Sequence, residues 1–220
     1  MLHIRASTHE KYDLKEFNFK AYYVSMMIWK YLTPGIPDEL FERSENVAIT
    51  KEDIRSIVLS KLRLRKNYSV IDVGCGSGSI TIEICLYVNS KNVYAIDLDK
   101  NAIDLTKKNL DKFGVSANLI HSKAEEVLPS LPTVDAIIIG GTKGKTEKII
   151  ELCISKLKKG GRLVIDTILI ETMYKALKTV KKLKMREIEV TQITIAKGKS
   201  ISSGTMLISR NPILILSATR

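Results

Sequence analysis

From residue 68 onward the chain alternates between short apolar runs and longer amphipathic segments. "YSVIDV" (68–73), "NVYAID" (92–97), "ANLIH" (117–121), "VDAIIIG" (134–140) and "RLVIDTI" (162–168) are strand-like, dense in Val and Ile. Between and after them, "ITIEICLYV" (80–88), "KNAIDLTKKNLDKF" (100–113), "AEEVLPSL" (124–131), "TEKIIELCISKLKKGG" (146–161) and "ETMYKALKTVKKL" (171–183) read as helices. Strands alternating with helices require right-handed crossovers and a mostly parallel sheet. The chain closes on two long β-like runs, "REIEVTQITIA" (186–196) and "TMLISRNPILILSA" (205–218), joined by the polar "KGKSISSG". With no helix between them, they form an antiparallel pair. The expectation is an α/β protein with a seven-stranded, mostly parallel sheet and a C-terminal antiparallel strand pair.

Upstream the pattern is weaker. Residues 11–33 suggest a helix with several aromatics, and "PGIP" at 34–37 breaks it. We therefore divide the chain into an N-terminal helical extension, 1–34, and one domain, 35–220. Thr50 is the expected N-cap of a helix bearing Ile54, Ile57, Val58 and Leu62, with Asp53 three residues on as a weak capping box. Gly114 is the expected stop of the helix that ends at Phe113.

The chain's 220 residues suffice for one α/β domain with a full core. No apolar run reaches the roughly 18 residues of a membrane span, and no signal-peptide pattern precedes the domain, so the expected location is the cytoplasm, without a membrane partner. Cys75, Cys85 and Cys153 lack a C-x-x-C spacing, and His3, His9 and His121 are scattered. Neither a disulfide framework nor a metal site is expected. The net charge of +11 lies wholly in residues 141–220, which hold 17 Lys/Arg against 6 Asp/Glu. Such a basic half attracts an anionic partner, or is in part a solvated lysine-rich helix.

Two glycine-rich stretches compete for a ligand. "AIIIGGTKGKT" (136–146) nearly matches the phosphate-binding pattern G-x-x-x-x-G-K-[ST], but position 139, where its first glycine belongs, is Ile. "VIDVGCGSGSITIEI" (70–84) is stronger. Gly74, Gly76 and Gly78 follow a strand and open a helix, at the sheet edge where open α/β sheets bind ligands. The third glycine of the dinucleotide fingerprint would fall at Ser79, so the pattern is G-x-G-x-G with Asp72 two residues ahead of it. That pattern resembles the class I S-adenosylmethionine (SAM) methyltransferases, a Rossmann-like fold. Asp72 can help hold the ammonium of SAM. Asp97, ending the second strand, can accept both ribose hydroxyls. Ala124 follows strand three, where the superfamily's backbone meets adenine. After strand four stands Ile139-Gly140-Gly141-Thr142 in place of [DN]-P-P-[YF], which argues against methylation of base or amide nitrogens.

Further motifs sharpen the likeness. "GIPDELFERSENVAITKEDIRSIVLSKL", "DAIIIGGTKG", "GGRLVIDTILIET" and "ITIAKGKSISSGTMLISRNPILIL", in order over about residues 35–218, resemble the cobalt-precorrin C15-methyltransferases (decarboxylating) of cobalamin biosynthesis. The resemblance implies SAM contacts at Thr50, at Gly74, Cys75, Gly76, Ser77 and Gly78, at Asp97 and at Ala124. It also implies methylation of ring carbon C15, loss of carbon dioxide from the C12 acetate, and a homotetramer. Residues 1–26 have no counterpart in it. The substrate class is a polycarboxylate corrinoid, to which the basic half is complementary. Lys143, Lys145, Lys197, Lys199 and Arg210 are candidates for holding its carboxylates. Gly140 and Gly141 would let a flat ring approach the methyl group, and Thr167 and Glu171 are possible aids to decarboxylation. Two other readings exist: a tRNA adenine N1-methyltransferase, and a non-catalytic methyltransferase-like subunit. The first would want a larger basic face for nucleic acid; the second would tend to lose Asp97 and the glycines, which this chain keeps.

Overall fold

The structure is a computed structural model and describes residues 28–88 and 90–220. Most of the expected helix over 11–33 lies outside the described residues, and 29–33 are not helical. A seven-stranded sheet organises the rest, in the order β3-β2-β1-β4-β5-β9-β6. Its strands are β1 (Val70–Val73), β2 (Val93–Asp97), β3 (Asn118–His121), β4 (Val134–Ile139), β5 (Leu157–Thr167), β6 (Arg186–Ile193) and β9 (Ile213–Thr219). Strands β1 to β5 pair in parallel, while β9 runs antiparallel to both β5 and β6. The expected α/β class and the mostly parallel sheet are what the chain adopts.

Burial on both faces explains the unbroken Ile-Ile-Ile of β4, because helices cover a parallel sheet from either side. Helices α1 (Glu52–Leu62), α2 (Ser79–Tyr87) and α3 (Lys100–Phe113) pack on one face against Val70, Ala136, Ile138 and Val164. The short α4 (Ala124–Val127) and helices α5 (Thr146–Lys156) and α6 (Ile170–Lys182) cover Ile71, Val73, Ile137 and Ile165 on the other. Helix α3 runs as expected: the Asp99 side chain accepts from the Asn101 N–H at its start, and Gly114 takes a left-handed φ of 63° after its end.

Three expectations change. First, α1 starts at Glu52 and Thr50 does not cap it; the Glu52 N–H donates to Asp38 Oδ1 at 3.0 Å, so the cap comes from a residue far earlier in the chain. Second, α5 ends at Lys156, and "LKKGG" belongs to β5. There the register against β4 shifts between Val134 and Ala136, so Gly160 and Gly161 form a bulge, not a helix stop. Third, neither C-terminal run is one strand. β6 ends at Ile193, and β7 (Ala196–Ile201) pairs with β8 (Gly204–Ser209) in a separate hairpin that takes in most of the expected polar loop. Pro212, without an N–H to offer a ladder, stands between β8 and β9.

The segment ahead of α1 is held by a buried ion network. Arg55, fully buried, donates from Nε to Glu83 Oε1 at 2.7 Å and from Nη1 to Asp38 Oδ1 at 2.8 Å. Its guanidinium also donates to the carbonyls of Ile36 and Thr50. Glu83 in turn accepts from the N–H groups of Gly35 and Ile36 at 2.9 and 3.1 Å. Removing Arg55 would leave buried Glu83 without its cation and Asp38 with Lys51 alone, at 3.5 Å. Arg55→Ala should therefore lower the unfolding free energy by about 3–5 kcal/mol in a denaturant titration. Arg55→Lys should restore only part, since one ammonium cannot span all four acceptors.

Candidate active site

Two cavities open at the C-terminal ends of the strands and share a wall. One, of about 490 Å³, is lined by Gly74, Gly76, Asp97, Asp99, Ser122 and Ala124. The other, of about 610 Å³, is lined by Thr50, Lys51, Asp166, Thr167, Asn211 and Arg210. Ala48, Gly140, Gly141, Thr142 and Lys143 line both.

The first cavity is shaped by backbone. Gly74 and Cys75 donate to the Ile96 carbonyl at 2.8 and 3.1 Å, which ties the loop after β1 to the end of β2. Gly74 has φ 78°, and a Cβ there would sit 2.9 Å from the Gly141 nitrogen. Gly76 has φ 57°, and its Cβ would sit 2.7 Å from the Ala48 carbonyl. Both positions need glycine for conformation and for space. Asp97 is aimed by two N–H groups: Gly76 donates to Oδ2 at 3.0 Å and Asp99 to Oδ1 at 2.9 Å. Each oxygen keeps capacity to accept a ligand hydroxyl. A cavity of this size beside an oriented carboxylate fits the adenosine of SAM.

The candidate residues divide by position. Gly74, Gly76, Asp97 and Ala124 line the smaller cavity, and Thr50, Thr167 and Arg210 the larger. Thr50 thus faces the larger space, and its carbonyl accepts from Arg55. Asp72, Cys75, Ser77 and Gly78 line neither cavity and act from behind. Asp72 is buried and accepts from Thr81 Oγ1 at 2.5 Å; it does not reach a cavity wall as a direct ammonium partner would. The Cys75 thiol lies 3.6 Å from Thr106 Oγ1, and Ser77 donates its N–H to Ala48 O at 3.0 Å. Gly78 precedes α2, pressed against Thr106.

Among the basic candidates, Lys197 is ion-paired with Glu52 and Asp53, and Lys145 with Glu125 on the smaller cavity's side. Lys199 is exposed on the β7–β8 hairpin and lines neither space, and Glu171 is exposed on α6. Lys143 and Arg210 reach the larger cavity and have no carboxylate partner among the described residues. "GGTKGKT" is a turn, closed by Lys145 N–H to Thr142 O at 2.9 Å and by the Thr142 and Thr146 hydroxyls at 2.9 Å. Lys143 and Gly144 there adopt φ 45° and 85°.

Asp166, at the end of β5, is a lining residue the motif reading passes over. Its Oδ1 is buried with no hydrogen-bond partner. Its signal is a repeated dipeptide: Ile71-Asp72, Ile96-Asp97 and Ile165-Asp166 each stand at or one residue before the end of an apolar strand. Burial raises Asp166 to a pKa of about 6. Asp72 is raised to about 7, chiefly by burial, with the Thr81 hydrogen bond opposing and the charges of Asp166 and Asp97 adding. The buried thiols of Cys75, Cys85 and Cys153 are free and pushed far above the usual thiol range by burial, so they are unreactive.

Residues 39–220 match the model of the precorrin methyltransferase domain family. A relative from Saccharolobus solfataricus, assigned as a cobalt-precorrin-6B C15-methyltransferase (decarboxylating), is 46% identical over 198 residues, 88% of this chain and 100% of the relative. The crystal structure of a precorrin 8W decarboxylase from Methanobacterium thermoautotrophicum superposes with a TM-score of 0.79 at 33% identity, over 83% of this chain and 98% of that one. A precorrin-6y C5,15-methyltransferase from Geobacter metallireducens does so with 0.79 at 30%, over 86% and 100%.

The raised Asp72 makes a stability prediction. A carboxyl whose folded pKa exceeds its unfolded value contributes stability that is complete below the unfolded value, 3.8, and is lost as pH rises through about 7. Asp72→Asn removes that loss and keeps an oxygen for Thr81. Its melting temperature should therefore gain on the wild type between about pH 4 and about pH 7; a difference that ignores pH would show Asp72 to be ordinarily ionised.

Proposed function

The chain belongs to the precorrin methyltransferase family, and from that premise we propose that it methylates C15 of a cobalt-precorrin and decarboxylates the C12 acetate in cobalamin biosynthesis, using SAM. The observation that carries the reading is the pair of cavities meeting at Gly140 and Gly141. One suits a nucleoside. The other is apolar-walled and edged by the cations Lys51, Lys143 and Arg210, as a polycarboxylate macrocycle requires. The relatives are named for this chemistry.

In this reading Asp97 accepts the ribose hydroxyls, Ala124 meets adenine, and Thr50, Gly74 and Gly76 line the path to the methionine end. SAM supplies an electrophilic methyl group. The Gly140-Gly141 backbone, without side chains, admits the ring edge to that methyl group. Catalysis rests on in-line positioning and exclusion of water, with the conjugated ring as electron sink for decarboxylation. Lys143 and Arg210 hold side-chain carboxylates, Arg210 in a bidentate fashion. Residues 35–220 form the catalytic domain and 1–34 an extension.

The enzyme works in the cytoplasm as a homotetramer, without nucleic-acid partners. No described helix is long and apolar enough to cross a membrane, and Ile170 and Tyr174 near the start of α6 are exposed, as subunit contacts would be before assembly. The tRNA methyltransferase alternative is not favoured, because the curated relatives are assigned to corrinoid substrates. The non-catalytic alternative is opposed by the intact glycine loop and the oriented Asp97.

Incubation with SAM and cobalt-precorrin-6B should give a product that has gained one methyl and lost one carboxyl by mass; an unchanged substrate mass refutes the reading. Arg210→Ala should raise the substrate KM about tenfold or more, the loss of one charge-assisted pair. SAM affinity by calorimetry should stay as in the wild type.

A further inference from the structure

Among the described residues lining the larger cavity, Asp166 is the only carboxylic acid, and no His, Cys, Tyr or Glu stands with it. The charged side chains that share the space are Lys51, Lys143 and Arg210. Lys51 already faces Asp38 at 3.5 Å. Asp166 accepts from none of them, and its Oδ1 is buried without a partner. A buried polar atom left unsatisfied is costly and marks a place where a ligand completes the bonding.

Its position is specific. The β4–β5 register pairs Ile138 with Val164 and Ile139 with Ile165, so Gly140 and Asp166 come next, side by side. A Cβ on Gly140 would lie 3.7 Å from Asp166 Oδ1. The carboxyl group therefore sits against the glycine wall where the two cavities meet. On the same sheet face, Asp72 of β1 stands level with Ile138, and its charge and that of Asp166 disfavour each other. Burial raises Asp166 to about 6, with a hydrogen bond from its own backbone opposing, so near neutrality both its acid and its carboxylate form are populated.

The proposed reaction has a matching need. Forming the C15–CH3 bond as the S–CH3 bond breaks leaves the electron pair on sulfur, and C15 must shed its hydrogen as a proton. Breaking the bond between the acetate methylene and its carboxylate releases carbon dioxide and sends the electron pair into the ring. The methylene must then gain one proton to become a methyl. One proton is released and one consumed, with no oxidant or reductant.

We propose that Asp166 is the catalytic acid–base of this enzyme, taking the proton from C15 and delivering one to the C12 methylene. The proposal rests on the reading above that both changes occur in one site. Methyl transfer first would begin from the carboxylate, and decarboxylation first from the acid.

The test is steady-state turnover of SAM and cobalt-precorrin-6B by the wild type, Asp166→Asn and Asp166→Glu, with product masses recorded. SAM affinity by calorimetry and melting temperature are measured alongside. Asp166→Asn should lose about 100-fold or more in kcat, the usual contribution of one acid–base group. Its KM, SAM affinity and fold should be kept, and Asp166→Glu should recover part of kcat. The near-neutral limb of the wild-type pH–kcat profile should vanish in Asp166→Asn. A limb rising with pH supports the carboxylate start and a falling one the acid start. An Asp166→Asn enzyme with wild-type kcat, or one impaired through KM, SAM affinity or stability alone, overturns the proposal. A wild type that yields no methylated, decarboxylated product overturns the functional reading, and this proposal with it.

Discussion

The buried guanidinium of Arg55 is the constraint on which the site depends. It joins α1 to Glu83 of α2 and to Asp38 in the segment before α1, while donating to the carbonyls of Ile36 and Thr50 in that segment. A buried ion network of this kind need not add net stability over an apolar replacement, but it fixes one geometry, since every partner is costly to leave alone. What it fixes is the run from Ile36 to Thr50. That run carries Ala48, which lines both cavities and whose carbonyl receives the Ser77 N–H. The glycine loop is therefore set from two sides, by β2 through Ile96 and by the Arg55-anchored segment through Ala48.

Two glycine turns then meet back to back. The close approach of Gly74 to Gly141 leaves no room for a side chain at Gly74, and Gly140 donates to the Val73 carbonyl at 2.9 Å. A wall of backbone at Gly140 and Gly141 is shared by the two cavities. Asp97 lines the smaller cavity, Arg210 the larger and Lys143 both; the last two belong to the basic excess of residues 141–220. Much of that excess is spent otherwise: Lys197, Lys145, Lys158 and Lys182 are engaged by acidic neighbours.

The alternation of strands and helices was legible in the chain because each element's pattern is local. β4 reads as buried from Ile137, Ile138 and Ile139 alone, and α3 carries its own cap and stop in Asp99 and Gly114. The smaller cavity's lining was legible for the same reason: the glycines of its loop, Asp97 and Ala124 each stand at or just after the end of a recognisable strand. Asp166 carried a comparable signal in its Ile-Asp ending, but no glycine follows it to draw attention to a loop. The boundaries that failed were those set by distant partners. Lys158 and Gly160 look like a helix end until β4 and Arg220 pair with that stretch, and the C-terminal runs look continuous until Pro212 and the Arg210–Ile195 hydrogen bond divide them.

By itself the sequence determined the fold class, the family and the place of the glycine loop, since those follow from periodicity and from motifs a few residues long. Only the tertiary structure decided which chemistry-bearing residues meet. Asp38 caps a helix 14 residues away, and Asp72 turns inward to Thr81. Lys197 is bound to α1 and withdrawn from the cavity, while Asp166 is brought beside Gly140. Contacts between residues far apart in the chain depend on register and packing across the sheet, and no local pattern encodes them.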